Sequence, residues 1–105
     1  MVTITENQKF ELGDLVASEG VAGLRKKDPV FNQFAVRSIF RYAVGDWGDS
    51  LEDDKKKNDL SVKLEAEGKP TTRIVAEYRT EGQPTIWIVT EWDRSYTTVL
   101  FPDEY

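Results

Sequence analysis

The chain has 105 residues, 39% of them hydrophobic and 31% charged, a formal net charge of −5, and neither cysteine nor histidine. A domain of this size buries roughly 65% of its unfolded surface and folds without staples, so one unit spanning 1–105 is expected. The missing thiols and imidazoles exclude disulfides, thiolate nucleophiles, thiolate-bound zinc or iron–sulfur centres, the Ser-His-Asp triad and histidine acid–base chemistry.

"KFELGDLVAS" (9–18) has extended character, with Phe10, Leu12, Leu15 and Val16 suggesting a short edge strand. "EGVAGLRKKD" (19–28) suggests a short helix weakened by Gly23. Asp28-Pro29 then gives a start signal, an aspartate N-cap followed by proline at the first helical position. Beyond it, Phe31, Phe34, Ala35, Ser38 and Tyr42 fall on one side of a helix. Val36, Ile39, Phe40 and Ala43 widen that apolar face, and Gly45 is placed to end it.

After "GDWG", Ser50 and Asp53 form an S-x-x-D box that predicts a second helix over 50–60 with Ser50 as its cap. Over 61–67 the apolar residues alternate with polar ones, the period of a strand, so this segment is left open between helix and strand. The last third is expected to be a three-stranded antiparallel meander of 72–80, 85–92 and 96–101. "TIWIVTEW", apolar on both faces, should form its central strand.

A two-residue turn at Asp93-Arg94 and a three-residue turn over 81–83 would set the register. One face then carries Ile74, Ala76, Tyr78, Ile86, Ile88, Thr90, Val99 and Phe101, to be covered by helices. The other carries Val75, Trp87, Val89, Thr98 and Leu100, with Glu77 beside Trp87 and a row of Arg73, Glu91 and Tyr96. Asp-Arg suits a primed turn poorly, because both residues would need positive φ, so a bulge would shift this register by one.

The charge is unevenly placed. Residues 1–44 hold six basic and five acidic side chains and 55–105 hold eight and nine, whereas "GDWGDSLEDD" (45–54) holds five acids and no base. Partners drawn by long-range charge would be cationic, and direct nucleic-acid binding is disfavoured. A structural role is favoured for this stretch: Glu52 and Asp53 in a first helical turn, Lys56 and Lys57 four residues on, and Trp47 plugged between helices. A second role is recognition, in which Asp46 and Asp49 beside Trp47 meet a basic protein. A hard cation between Asp46, Asp49 and Asp53 is less favoured, because the spacing of a calcium loop is absent; no metal or other cofactor is expected.

Arg73, Glu91 and Tyr96 form the best enzyme candidate in a chain without histidine, with Glu91 as base and Arg73 stabilising a pentavalent phosphate. An ordinary cross-strand ion pair explains the same residues more simply.

Three motifs, "RYAVGDWGD", "DD…ND" and "IWIVTEWDRSYTTVLFPDEY", with "FELGDLVAS" near the start, resemble a family of small uncharacterised bacterial proteins described as plasmid-related. Members of that family usually carry histidine where Tyr42 stands. The resemblance implies a bacterial, mobile-element setting and supplies no activity.

The expectation is therefore an α+β domain, an N-terminal short strand and helices packed on a C-terminal three-stranded antiparallel meander. Its expected role is as a non-enzymatic module that binds a basic protein through the acidic Trp47 loop or through the open sheet face bearing Trp87. The alternative is a His-free RNase-like enzyme using Arg73, Glu91 and Tyr96. No apolar run approaches ~18 residues and the N-terminus lacks a secretory pattern, so a cytoplasmic protein without membrane contact is expected.

Overall fold

The structure, a computed structural model, describes residues 4–105. Its elements are β1 (Asp14–Ala17), α1 (Glu19–Lys27), α2 (Pro29–Ala43), α3 (Glu52–Ala66), β2 (Ile74–Tyr78), β3 (Ile86–Thr90), β4 (Tyr96–Leu100) and a single 3-10 turn (Pro102–Glu104). The fold is α+β, as the sequence suggests. The sheet has four strands rather than three, in the order β1-β4-β3-β2. The meander β2-β3-β4 is antiparallel, whereas β1 joins its far margin parallel to β4 instead of packing on a face.

The register follows the pattern read from the sequence. Ile74 pairs with Thr90, Tyr78 with Ile86, and Ile88 with Val99. The turn between β3 and β4 is not a primed two-residue one, however. The Arg94 N–H donates to the Glu91 carbonyl (2.9 Å), and only Arg94 takes a positive φ, 60°. A four-residue turn with one left-handed position keeps the same alternation, and no shift results.

Asp28 caps α2 through its carboxylate, which accepts from the Val30 and Phe31 N–H groups. The buried stripe of α2 is Phe31, Phe34, Ala35, Ser38, Ile39, Tyr42 and Ala43, while Val36 and Phe40, expected to widen it, stay exposed. This stripe packs on the face formed by Ile74, Ala76, Tyr78, Ile86, Ile88 and Val99, and Phe10, Leu12 and Trp47 complete the core. Phe10 and Leu12 thus enter the core from ahead of β1 rather than from within it.

Two findings concern α3. The segment left open between helix and strand continues the helix as far as Ala66, and the sequence carries no apolar stripe because its buried positions are the polar pair Asn58 and Ser61. Ser50 does not cap it: Leu51 is the N-cap, without a side-chain bond. The Ser50 hydroxyl instead donates to the Trp47 carbonyl (2.7 Å) and accepts the Glu77 N–H (2.9 Å). A backbone donor on a neighbouring strand has outcompeted the local capping signal.

A guanidinium knits these parts together. Arg94 donates through Nε to Glu65 Oε1 (2.5 Å), through Nη2 to Ser61 Oγ (2.9 Å) and through Nη1 to the Thr72 and Glu91 carbonyls (2.8 and 3.3 Å). Its side chain is only 8% exposed, so its charge and donors are matched in the interior. Glu65 also accepts the Glu11 N–H (2.9 Å), tying the N-terminal segment to the same hub.

Candidate functional site

The acidic stretch lies along the outer edge of β2. Gly48 forms a parallel bridge with Glu77, and the Asp49 N–H donates to the Glu77 carbonyl (2.8 Å). The Asp49 carboxylate accepts the Arg79 N–H (2.7 Å), and the Asn58 amide donates to the Val75 carbonyl (3.0 Å). With Ser50 on the Glu77 N–H, the loop and α3 satisfy an otherwise open row of strand groups. Gly48 is required here for two reasons. Its φ is 61°, and an added Cβ would meet the Tyr78 ring at 2.5 Å.

Asp46 faces Arg41, whose Nε and Nη2 donate to its two oxygens at 2.8 and 3.2 Å. That hydrogen bond is the main cause holding the Asp46 carboxyl below its ordinary range, and the reciprocal bond raises the Arg41 guanidinium. The Asp46 carbonyl accepts the Tyr78 hydroxyl (2.7 Å). Trp47, expected beside these acids as a contact for a partner, is 4% exposed. Its indole packs on Phe10 and Tyr42 and its Nε1 donates to Asp59 (2.8 Å). Trp47 is therefore used inward, and Asp46, though exposed, is engaged by Arg41. Among the described residues, no group of three or more acidic side chains is placed to hold a metal ion.

The sheet face away from α2 presents Val75, Glu77, Trp87, Val89, Thr98 and Leu100, with Val16 added by β1. Trp87 donates to Glu77 through Nε1 (2.9 Å) and meets the Tyr105 ring edge-on, centroids 5.2 Å apart. Val89 and Leu100 are buried, so local packing already covers the middle of this face.

Toward β2 the face opens into a groove of about 840 Å³ between the sheet and the first half of α3. Trp87 and Val75 line its sheet side, Leu51, Asp54, Lys57 and Leu60 its helix side, and Arg73 and Tyr105 are also on its wall. Asp49 borders it too, so one of the acids singled out by the sequence and Trp87 belong to one surface. Leu51 and Leu60 are 73% and 56% exposed, an apolar rim that folding alone does not require. Sequence reasoning missed both leucines: they fall in the helix expected over 50–60, but no apolar stripe there shows which side turns to the sheet.

Glu91 and Tyr96 are joined only through their backbones, the Glu91 N–H donating to the Tyr96 carbonyl (3.1 Å), and Arg73 stands apart. Arg73 donates to the Tyr105 hydroxyl and lies over that ring at 5.7 Å, and no hydrogen bond or ion pair among the described residues links it to Glu91 or Tyr96. The Glu91 backbone, rather than its carboxylate, takes part in the β3–β4 turn.

A chain of hydroxyls crosses the core from α2 to β4. Thr97 donates to the Leu12 carbonyl (2.6 Å), so its oxygen accepts from Thr90 (2.7 Å), whose own oxygen accepts from Tyr42 (2.7 Å). Each hydroxyl has one proton to give, which fixes the direction of the chain. Burial raises the Tyr42 hydroxyl well above its ordinary range, so it stays neutral. The chain ends on the Leu12 carbonyl and starts at the buried Tyr42, and among the described residues no acid or base joins it, so it specifies packing rather than proton transfer.

No family model matches this chain, no curated protein matches it in sequence, and no solved structure matches its fold. Among the described residues, no helix is long and apolar enough to cross a membrane.

Proposed function

We propose that the protein is a non-enzymatic interaction module that takes a segment of a partner protein into the groove between α3 and the Trp87 face. The observation that carries this reading is the groove itself, with Trp87 and Val75 on its sheet side and the exposed Leu51 and Leu60 on its helix side. Such a surface fits a segment with an apolar or aromatic anchor, since indole and leucine contacts reward burial of rings and aliphatic chains.

Charge complements this shape. Asp49 and Asp54 border the groove, and Glu52 and Asp53 stand exposed in the first turn of α3. Lys57, Arg73 and Arg79 also line it, so the partner's basic residues belong at the acidic, N-terminal end of α3 and not along the whole length. A bacterial, mobile-element setting, which the motif resemblance suggests, and a cytoplasmic location accompany the proposal.

The RNase-like alternative has weaker support, since Arg73 is engaged by Tyr105 and no side-chain hydrogen bond or ion pair among the described residues links Arg73, Glu91 and Tyr96 to one another. A cleavage assay with mixed RNA and divalent ions checks it; activity lost in Glu91→Gln would revive it.

A selection of displayed random peptides against the purified protein tests the module. Selected peptides should share an apolar anchor beside a basic residue, and should lose at least about tenfold in affinity for Trp87→Ala or Leu60→Asp. Peptides that bind both variants as tightly as the parent would remove the groove from consideration.

A further inference from the structure

Strand β1 forms the margin opposite β2. The Asp14 N–H donates to the Ser95 carbonyl (3.1 Å) and the Ser18 N–H to the Val99 carbonyl (2.9 Å). In this parallel ladder Asp14, Val16 and Ser18 therefore turn their backbone groups toward β4. Leu15 and Ala17 aim theirs outward, and no hydrogen bond from another segment among the described residues reaches them. Leu15 is 36% and Val16 45% exposed, and the strand contains no proline, bulge or lysine to discourage pairing.

We propose that a second copy of this chain pairs antiparallel along β1, with Val16 of each copy facing its counterpart across a two-fold axis. In that register Leu15 lies opposite the other copy's Ala17, and the outward N–H and C=O of both residues are matched from either side. The neighbouring registers fail for stated reasons. Centring on Leu15 would place Ala17 opposite Gly13, whose φ of 64° takes it out of the extended conformation. Centring on Ala17 would place Leu15 opposite Glu19, already the first residue of α1.

Charge permits the same arrangement. Asp14 falls opposite Ser18, so no two carboxylates face each other directly. The β2 margin offers no comparable site, since Asp49, Ser50 and Asn58 occupy its outward groups. The assembly is isologous and closes on itself as one eight-stranded sheet, twice the four strands of a single chain. With only four residues per strand the pairing is weak, with a dissociation constant of about 0.1–1 mM.

Val16→Cys provides the test, in a chain that has no other cysteine. Antiparallel partners outside the hydrogen-bonded pairs have Cα atoms about 4.5 Å apart, within the disulfide range of about 4.4–6.8 Å. Mild oxidation should link Val16→Cys chains at least about tenfold faster than Leu15→Cys chains, whose thiols stand two residues out of step. Sedimentation at about 1 mM should show a dimer in the parent and a folded monomer, checked by circular dichroism, in Val16→Lys. Equal linking rates in the two cysteine variants, a parent that stays monomeric, or a dimer that survives Val16→Lys would each overturn the proposal.

Discussion

Along β2 the outward backbone groups meet Ser50, Asp49 and Asn58, whereas along β1 those of Leu15 and Ala17 meet no other segment of the described chain. Both are margins of one sheet, so intrinsic strand properties do not explain the contrast. What differs is the sequence devoted to each. The GDWGDS loop and the first half of α3 supply donors and acceptors at the spacing of the β2 edge, and the Trp47 indole anchors that loop in the core. An unpaired strand edge is a template for another strand, and here one template is spent internally while the other is left open. The acids that give the molecule its charge are thus partly structural: Asp49 serves a backbone N–H and Asp46 a guanidinium.

The comparison breaks most completely if the anchor is removed. Trp47→Ala deletes a buried indole, its packing on Phe10 and Tyr42 and its bond to Asp59. A loss of about 3–5 kcal/mol in unfolding free energy is expected from chemical denaturation. If the loop were merely draped over the edge, the cost would stay below about 1 kcal/mol.

A smaller change sharpens the point. Asp49→Ala leaves the Arg79 N–H to water and should cost about 1 kcal/mol, together with a new tendency to associate through β2 visible in light scattering. Asp49→Asn retains a carbonyl oxygen for that N–H and should stay close to the parent. Equal losses in the two variants would mean that charge, rather than the edge hydrogen bond, is what Asp49 contributes.

How far this was legible from the residues follows from the range of each signal. The Asp28-Pro29 start of α2, the centre of its buried stripe and the meander register rest on neighbours in sequence or on the alternation along the strands, and these are found as read. Val36 and Phe40 nevertheless stay exposed, and the β3–β4 turn is longer than two residues. The parallel pairing of β1 with β4 depends on segments roughly eighty residues apart, and no local pattern encodes it. Helix α3 was half hidden because Asn58 and Ser61 dock it on the backbone of Val75 and Thr72, so its inward face is polar and the alternation of Leu60, Val62 and Leu64 suggested a strand. In the candidate site, Trp87 beside Glu77 was legible from register alone. The helix wall of the groove was not, since it required knowing which side of α3 turns to the sheet.

The smallest expected effect concerns Asp46. Its folded-state carboxyl titrates below the unfolded value of about 3.9, chiefly through the Arg41 hydrogen bond, so its stabilisation is present above that value and is lost as pH falls through the folded one. Side-chain exposures of 40% for Arg41 and 49% for Asp46 mean that water screens the pair, which limits it to under about 1 kcal/mol. Denaturation of the parent and Asp46→Asn should therefore differ slightly at neutral pH and converge once the pH falls below the folded-state value. A deficit that persisted at low pH would exclude the ion pair as its source, since an amide keeps an oxygen for the Gly48 N–H that Asp46 Oδ1 accepts at 3.1 Å. The loop would then be held by its backbone geometry. Its surplus charge would be left free for the groove, where Asp54 rather than Asp46 faces an incoming partner.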